Sequence, residues 1–148
     1  MNMLNRFCFR ISILSLLVFL ATSCHKTVVK TKAQLITQSS WKFSKATANG
    51  TDVTANVTAC LKDNIYLFAV NGTGTINEST NVCSPSTAGT FTWSFQTNET
   101  ILHLSAALFP GGSNDFTLVT LNETNLIISQ VMTISPYPPT TVEVTFIH

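Results

Sequence analysis

The chain has 148 residues, enough for one domain once an export segment is set aside, and carries eight Lys and Arg against seven Asp and Glu. Its only arginines are Arg6 and Arg10, so loss of the first 23 residues leaves six lysines against seven acids, with three lysines from Lys42 onward. A mildly acidic body without arginine lacks the basic face that nucleic-acid binding needs, and that class of function is excluded.

Residues 1–23 read as an address. Arg6 and Arg10 make a basic start, ISILSLLVFL from Ile11 to Leu20 is the apolar centre, and small residues follow in ATSC. A spanning helix needs about 20 apolar residues, and this run has about half of that. Cleavage after a small-residue site would leave Cys24 as a free thiol. Alternatively, LATSC resembles the lipobox of bacterial lipoproteins, in which the cysteine becomes the first residue and its sulfur carries a diacylglycerol. An unpaired exposed thiol is a liability in an exported protein, so lipidation at Cys24 is the expectation. Residues 24–32 then form a polar, basic tether whose lysines lie near anionic headgroups. In similar lipoproteins a non-acidic residue after the cysteine, here His25, accompanies sorting to the outer membrane, on its periplasmic face or at the cell surface.

Residues 33–148 form the body. Thr31 to Gln34 spell a capping box and predict one short helix before SSW at Ser39 to Trp41. From there, strands are expected near 41–48, 53–58, 65–70, 73–79, 89–96, 100–107, 115–121 and 126–134, with a ninth at 141–147. Gly89 to Gln96 is the clearest, with Phe91, Trp93 and Phe95 on one face and Thr90, Thr92, Ser94 and Gln96 on the other. Leu102 and Leu104 point inward and His103 outward by the same parity, as do Val142, Val144 and Phe146 at the end of the chain. Almost every link is hairpin-short, so sequence neighbours become spatial neighbours. The fold class that follows is all-β: an eight-stranded up-and-down antiparallel barrel, because closure removes exposed edges, with a sandwich as the alternative.

Cys60 and Cys83 flank the strongest hairpin signal, Asn71-Gly72. In a two-residue turn Val70 faces Thr73, and an unbroken register carries Cys60 opposite Cys83, within reach of a disulfide. Export supplies an oxidising compartment. Zinc would want four tightly spaced ligands, and a nucleophilic cysteine would want a nearby histidine; the region offers neither. Asp63 and Asn64 are expected to shape the bend after Cys60 through Asx-type hydrogen bonds.

SSWKF at the start of the body, C-x-x-D-N-x-x-x-F through Cys60, Asp63, Asn64 and Phe68, then Asn71-Gly72, Cys83, W-x-F at Trp93 and Phe95, and the closing VTFIH resemble the small lipocalin-like lipoproteins of Gram-negative bacteria. The resemblance covers about 110 residues and implies a lipocalin-like barrel behind a lipid anchor. Ser39 stands where lipocalins carry glycine before the first-strand tryptophan, and Trp41 is left as the barrel-bottom plug.

Two functions follow. Either the barrel binds a small hydrophobic ligand against Trp41, Phe68, Phe91, Trp93, Phe95, Leu102, Leu104 and Phe116, with Leu118 beside them, or it is filled and serves as a structural or interaction lipoprotein of the envelope. In the second case loops 82–88, 109–114 and 135–140 present themselves to a partner, with Phe109 and Tyr137 as exposed anchors. The partners are thus the membrane through the N-terminal lipid and either a hydrophobic ligand or an envelope protein. No cofactor or metal is expected. The acids are scattered, and no catalytic motif occurs, so an enzyme is not expected.

Overall fold

The computed structural model describes residues 29–133 and 138–148. The export segment, Cys24, most of the tether and Tyr137 lie outside the described residues. Helix α1 (Lys32–Ile36) starts at the predicted capping box: Gln34 N donates to the Thr31 hydroxyl and the Gln34 side chain accepts from Thr31 N. Next come β1 (Trp41–Ala48), the two-residue β2 (Thr51–Asp52), a 3₁₀ turn over Thr54–Asn56 and a short helix α2 (Ala59–Lys62). The remaining strands are β3 (Ile65–Phe68), β4 (Thr73–Asn77), β5 (Gly89–Gln96), β6 (Ile101–Leu104), β7 (Asp115–Leu121), β8 (Asn125–Met132) and β9 (Thr140–Ile147). Each pairs antiparallel with the next from β3 to β9, while β1 joins β3 to β9 and closes an eight-stranded barrel; β2 is an appendage on the free edge of β1.

The strand expected at 53–58 does not form. Asp52 Oδ1 accepts from Thr54 N, a local bond that bends the chain out of the extended state. Val53 N and the Thr54 hydroxyl bond back to Ala46, so this stretch lies along β1 without continuing the ladder.

The first hairpin also differs from its expected register. Phe68 pairs with Gly74, and Ala69 N bonds to Thr73 O, leaving Val70, Asn71 and Gly72 as a three-residue loop. Gly72 alone takes the left-handed conformation, at φ 82°, while Asn71 uses its side chain to accept from Thr73 N and Oγ1. This is a turn followed by a glycine bulge, the next commonest hairpin solution after the two-residue turn. The one-residue shift would have carried Cys60 past Cys83 had the strands continued. Instead Cys60 sits on α2 and Cys83 in the connection between β4 and β5, and the two form a disulfide with a Cα–Cα distance of 5.2 Å. The pairing is as expected, but loop packing rather than strand register produces it.

Alternation fills the interior. Phe116 and Leu118 face in from β7 until a register shift between Leu118 and Thr120 resets the parity, so that Leu121 also packs on the core. A similar shift between Phe43 and Lys45 turns Ala46 inward on β1. Gly74 faces in beside its cross-strand partner Phe91, whose ring lies over it and occupies the space a side chain would need. The single small inward residue of that hairpin therefore leaves no gap.

Candidate functional site: a barrel interior stopped at both ends

Up-and-down connectivity separates the two ends. At one end lie the hairpin loops 70–72, 97–100 and 122–124, with α1 beneath them. Trp41 is wholly buried there, its indole N–H donating to Ile36 O at 2.8 Å. The ring of His148 lies 3.9 Å from that of Trp41, and His148 Nδ1 is 2.8 Å from Ser40 O. Trp41 therefore plugs the closed end, in the position the sequence resemblance implied.

Longer connections meet at the other end, the mouth. The segment 105–114 between the short β6 and β7 turns inward: Leu108 and Phe109 are buried, and Leu108 lines the same residual void as Trp41. A turn at Pro110-Gly111, closed by Gly112 N to Phe109 O, reverses the chain above them. Its latch is Gln130, an inward residue of β8 only 8% exposed, whose Oε1 accepts from Ser113 N at 2.7 Å. Phe109 is thus a core residue, not the exposed loop anchor expected of it.

A second mouth connection, 78–88, is held by long-range polar ties. Asp63 Oδ2 accepts from the backbone and side chains of Thr80 and Asn81, and Asn64 Nδ2 donates to Thr87 Oγ1. The expected local Asx bend is replaced by these cross-links. The Asn81 backbone N–H is the main cause holding the Asp63 carboxyl below its usual range. Glu78 is lowered further, from 4.5 to about 2, first by the Thr87 N–H, then by the Ser86 hydroxyl, with the Thr87 hydroxyl and Cys83 N–H adding to it.

The eight residues expected to meet a ligand divide into two groups. Trp41, Phe68, Phe91, Leu102, Leu104 and Phe116 are buried in one apolar cluster. Trp93 and Phe95 are only half-buried, and the Trp93 indole N–H donates to Ala69 O and Thr73 O at the closed-end hairpin. Edge-on contacts run from Phe91 to Phe68, from Phe68 to Trp93 and from Trp93 to Phe95. Tyr66 was not among the residues expected to face inward, yet it is 2% exposed and burial pushes its phenol up; its signal was the spacing of two from Phe68. Gln130 follows the same spacing from Leu126 and Ile128. Leu108 had no periodic signal to find. Apolar side chains from the wall and the mouth line a void of about 10 Å³, at the threshold for one water molecule.

Elsewhere the chemistry is sparse. His103 meets Asp115 on the outer wall. Among the described residues no three His, Cys, Asp or Glu gather as metal ligands, and no helix is long and apolar enough to cross a membrane.

Among solved structures, Japanin from Rhipicephalus appendiculatus, bound to cholesterol, is similar at 10% identity over 80% of this chain and 78% of that one, with a TM-score of 0.49. No curated protein matches the sequence. A family profile described as a lipocalin-like domain matches residues 38–128, more than half of the chain. The chain therefore belongs to the lipocalin-like domain family.

Proposed function

We propose that the protein is a non-enzymatic lipoprotein of the outer membrane, anchored through Cys24, whose barrel takes up a small hydrophobic molecule when the 105–114 segment lifts. The observation that carries this reading is the placement of Leu108 and Phe109: apolar side chains from a connection, not from barrel strands, stop the mouth. They occupy the place that an apolar guest would fill, and Gln130 releases Ser113 when they leave. The wall behind them is aromatic and aliphatic, the lining that apolar ligands prefer. The anchor is supported by the LATSC sequence and by the length of the apolar run before it.

The void of about 10 Å³ favours a second reading, in which the barrel stays filled and the protein acts as a structural or interaction element of the envelope. A pocket for a drug-sized ligand needs roughly 300–1,000 Å³. In this reading the exposed Val82 in the disulfide-tied connection is the apolar contact offered to a partner.

One experiment separates the two. Native mass spectrometry of the lipoprotein from its own host, alongside a Leu108→Ala, Phe109→Ala double variant titrated with an environment-sensitive apolar dye, is expected to show a co-purifying small molecule and stronger dye uptake by the opened mouth. A bare mass together with no dye uptake by a folded double variant would establish the filled barrel instead.

A further inference from the structure

We infer that the closed end of the barrel rests on the membrane surface and that the mouth points away from it, an orientation that rests on the Cys24 anchor proposed above. The chain enters the body beneath the barrel, and two lysines fix it there. Lys30 Nζ lies 2.9 Å from Glu123 Oε1 in the loop between β7 and β8, and 2.9 Å from Gln38 Oε1. Lys32 Nζ donates to Glu99 O, in the loop between β5 and β6, at 2.7 Å. Both loops belong to the closed end.

Tether length does the rest. Lys30 lies six positions after Cys24, which sets a reach of at most about 20 Å. An eight-residue strand such as β5 is about 26 Å long, and with the usual barrel tilt it spans about 20 Å along the axis. Turning the mouth to the bilayer would need the whole tether drawn straight along the wall, with nothing left to pass the mouth loops.

The closed end also carries the apolar contacts that an interface wants. Val29, in the tether, and Val70, at the tip of the loop between β3 and β4, are each 87% exposed, the highest values among the large hydrophobic residues described. Lys26 and Lys32 in the tether add attraction to anionic headgroups, while the charge of Lys30 is met by Glu123. The occupant of this face is the lipid surface that holds the anchor. It follows that the 105–114 segment and Gln130 face the aqueous side, so a guest is exchanged with a soluble or protein-bound donor and not drawn from the anchoring leaflet.

The test uses full-length, lipidated protein in phosphatidylethanolamine–phosphatidylglycerol vesicles with brominated acyl chains. Val70→Trp places a reporter at the closed end and Val82→Trp one at the mouth; both sites are exposed, so folding is not at stake, and the two native tryptophans are a common background. Bromine is expected to quench the added emission of the Val70→Trp variant severalfold more than that of the Val82→Trp variant. Equal quenching, or stronger quenching at position 82, in protein whose mass includes the diacylglycerol would overturn the orientation and leave the anchor standing. A mature mass without lipid on Cys24 would remove both.

Discussion

The two ends of this barrel are built by different means. At the closed end the loops and the plug are tied locally, Trp41 to Ile36, Thr31 to Gln34, Asn71 to Thr73 and Asn122 to Thr124 and Asn125. The long ties there come from the incoming chain and the last residue: Lys30 reaches Glu123, Lys32 reaches Glu99 and His148 reaches Ser40. At the mouth the ties span long stretches of chain. Cys60 reaches Cys83, Asp63 reaches Thr80 and Asn81, Asn64 reaches Thr87, and Gln130 reaches Ser113. The local turns of the closed end form with little loop-closure entropy. The mouth must order longer connections, and it uses a disulfide and hydrogen bonds to buried or carboxylate acceptors to offset that cost.

The sharpest way to break the contrast is at the plug. Trp41→Ala removes the largest wholly buried side chain and leaves Ile36 O without its indole donor. Aromatic-to-alanine changes at such sites cost about 3–5 kcal/mol. Because β1 pairs with both β3 and β9, the loss is expected to be global: chemical denaturation should show the whole transition move to lower denaturant with its cooperativity kept. A change confined to α1, with the barrel transition unmoved, would mean that Trp41 does not join the closed end to the core.

The mouth counterpart is smaller and more local. Cys60→Ser opens a covalent loop of 23 residues' separation, worth about 3 kcal/mol on the chain-entropy estimate. Hydrogen exchange should then quicken in 78–88 and α2 first, while β7, β8 and β9 keep their protection. Uniform loss across all strands would erase the distinction between the ends.

The same contrast explains what could be read from the sequence. Period-two alternation placed Phe91, Leu102, Leu104, Phe116, Val144 and Phe146 correctly because each strand sees its own pleat. The capping box and Trp41 were legible because their partners lie within five residues. Legibility failed wherever a distant side chain decided the local outcome. Thr54 bonds to Ala46 instead of extending a strand, Asp63 turns to Thr80 and Asn81 instead of its own bend, and Phe109 enters the mouth instead of facing water. At the first hairpin the Asn71 side chain substitutes for a left-handed backbone, so Asn-Gly yields a bulged loop and a shifted register. The disulfide was anticipated through that register and formed by another route, so a correct pair of residues did not establish a correct geometry. The ligand seat was legible only as a wall: alternation marks which side chains face in, but not that a loop would reach in to stop the mouth.

The smallest effect in the series distinguishes the ends by pH. Glu78 collects Cys83 N, Thr87 N and Thr87 Oγ1 on one oxygen and Ser86 Oγ on the other, so the ionised form is favoured in the folded mouth. Its pKa falls from 4.5 to about 2, which means that the unfolded chain binds the proton more readily. The stabilisation from this group is therefore fully present above 4.5 and is lost as pH falls from there toward 2. Asp63, lowered by the Asn81 and Thr80 contacts, acts in the same direction on the same connection. The closed end has no comparable carboxylate cage: Glu99 offers its backbone oxygen, and Glu123 pairs with Lys30 in solvent. Glu78→Gln should lower stability slightly at neutral pH and flatten the acid limb of stability against pH, leaving the parts that belong to Asp63 and to Asp52, which hydrogen bonds from Thr54 lower. If the variant kept the full wild-type slope, Glu78 would carry none of the acid sensitivity, and its hydrogen-bond cage would not set the mouth apart from the closed end.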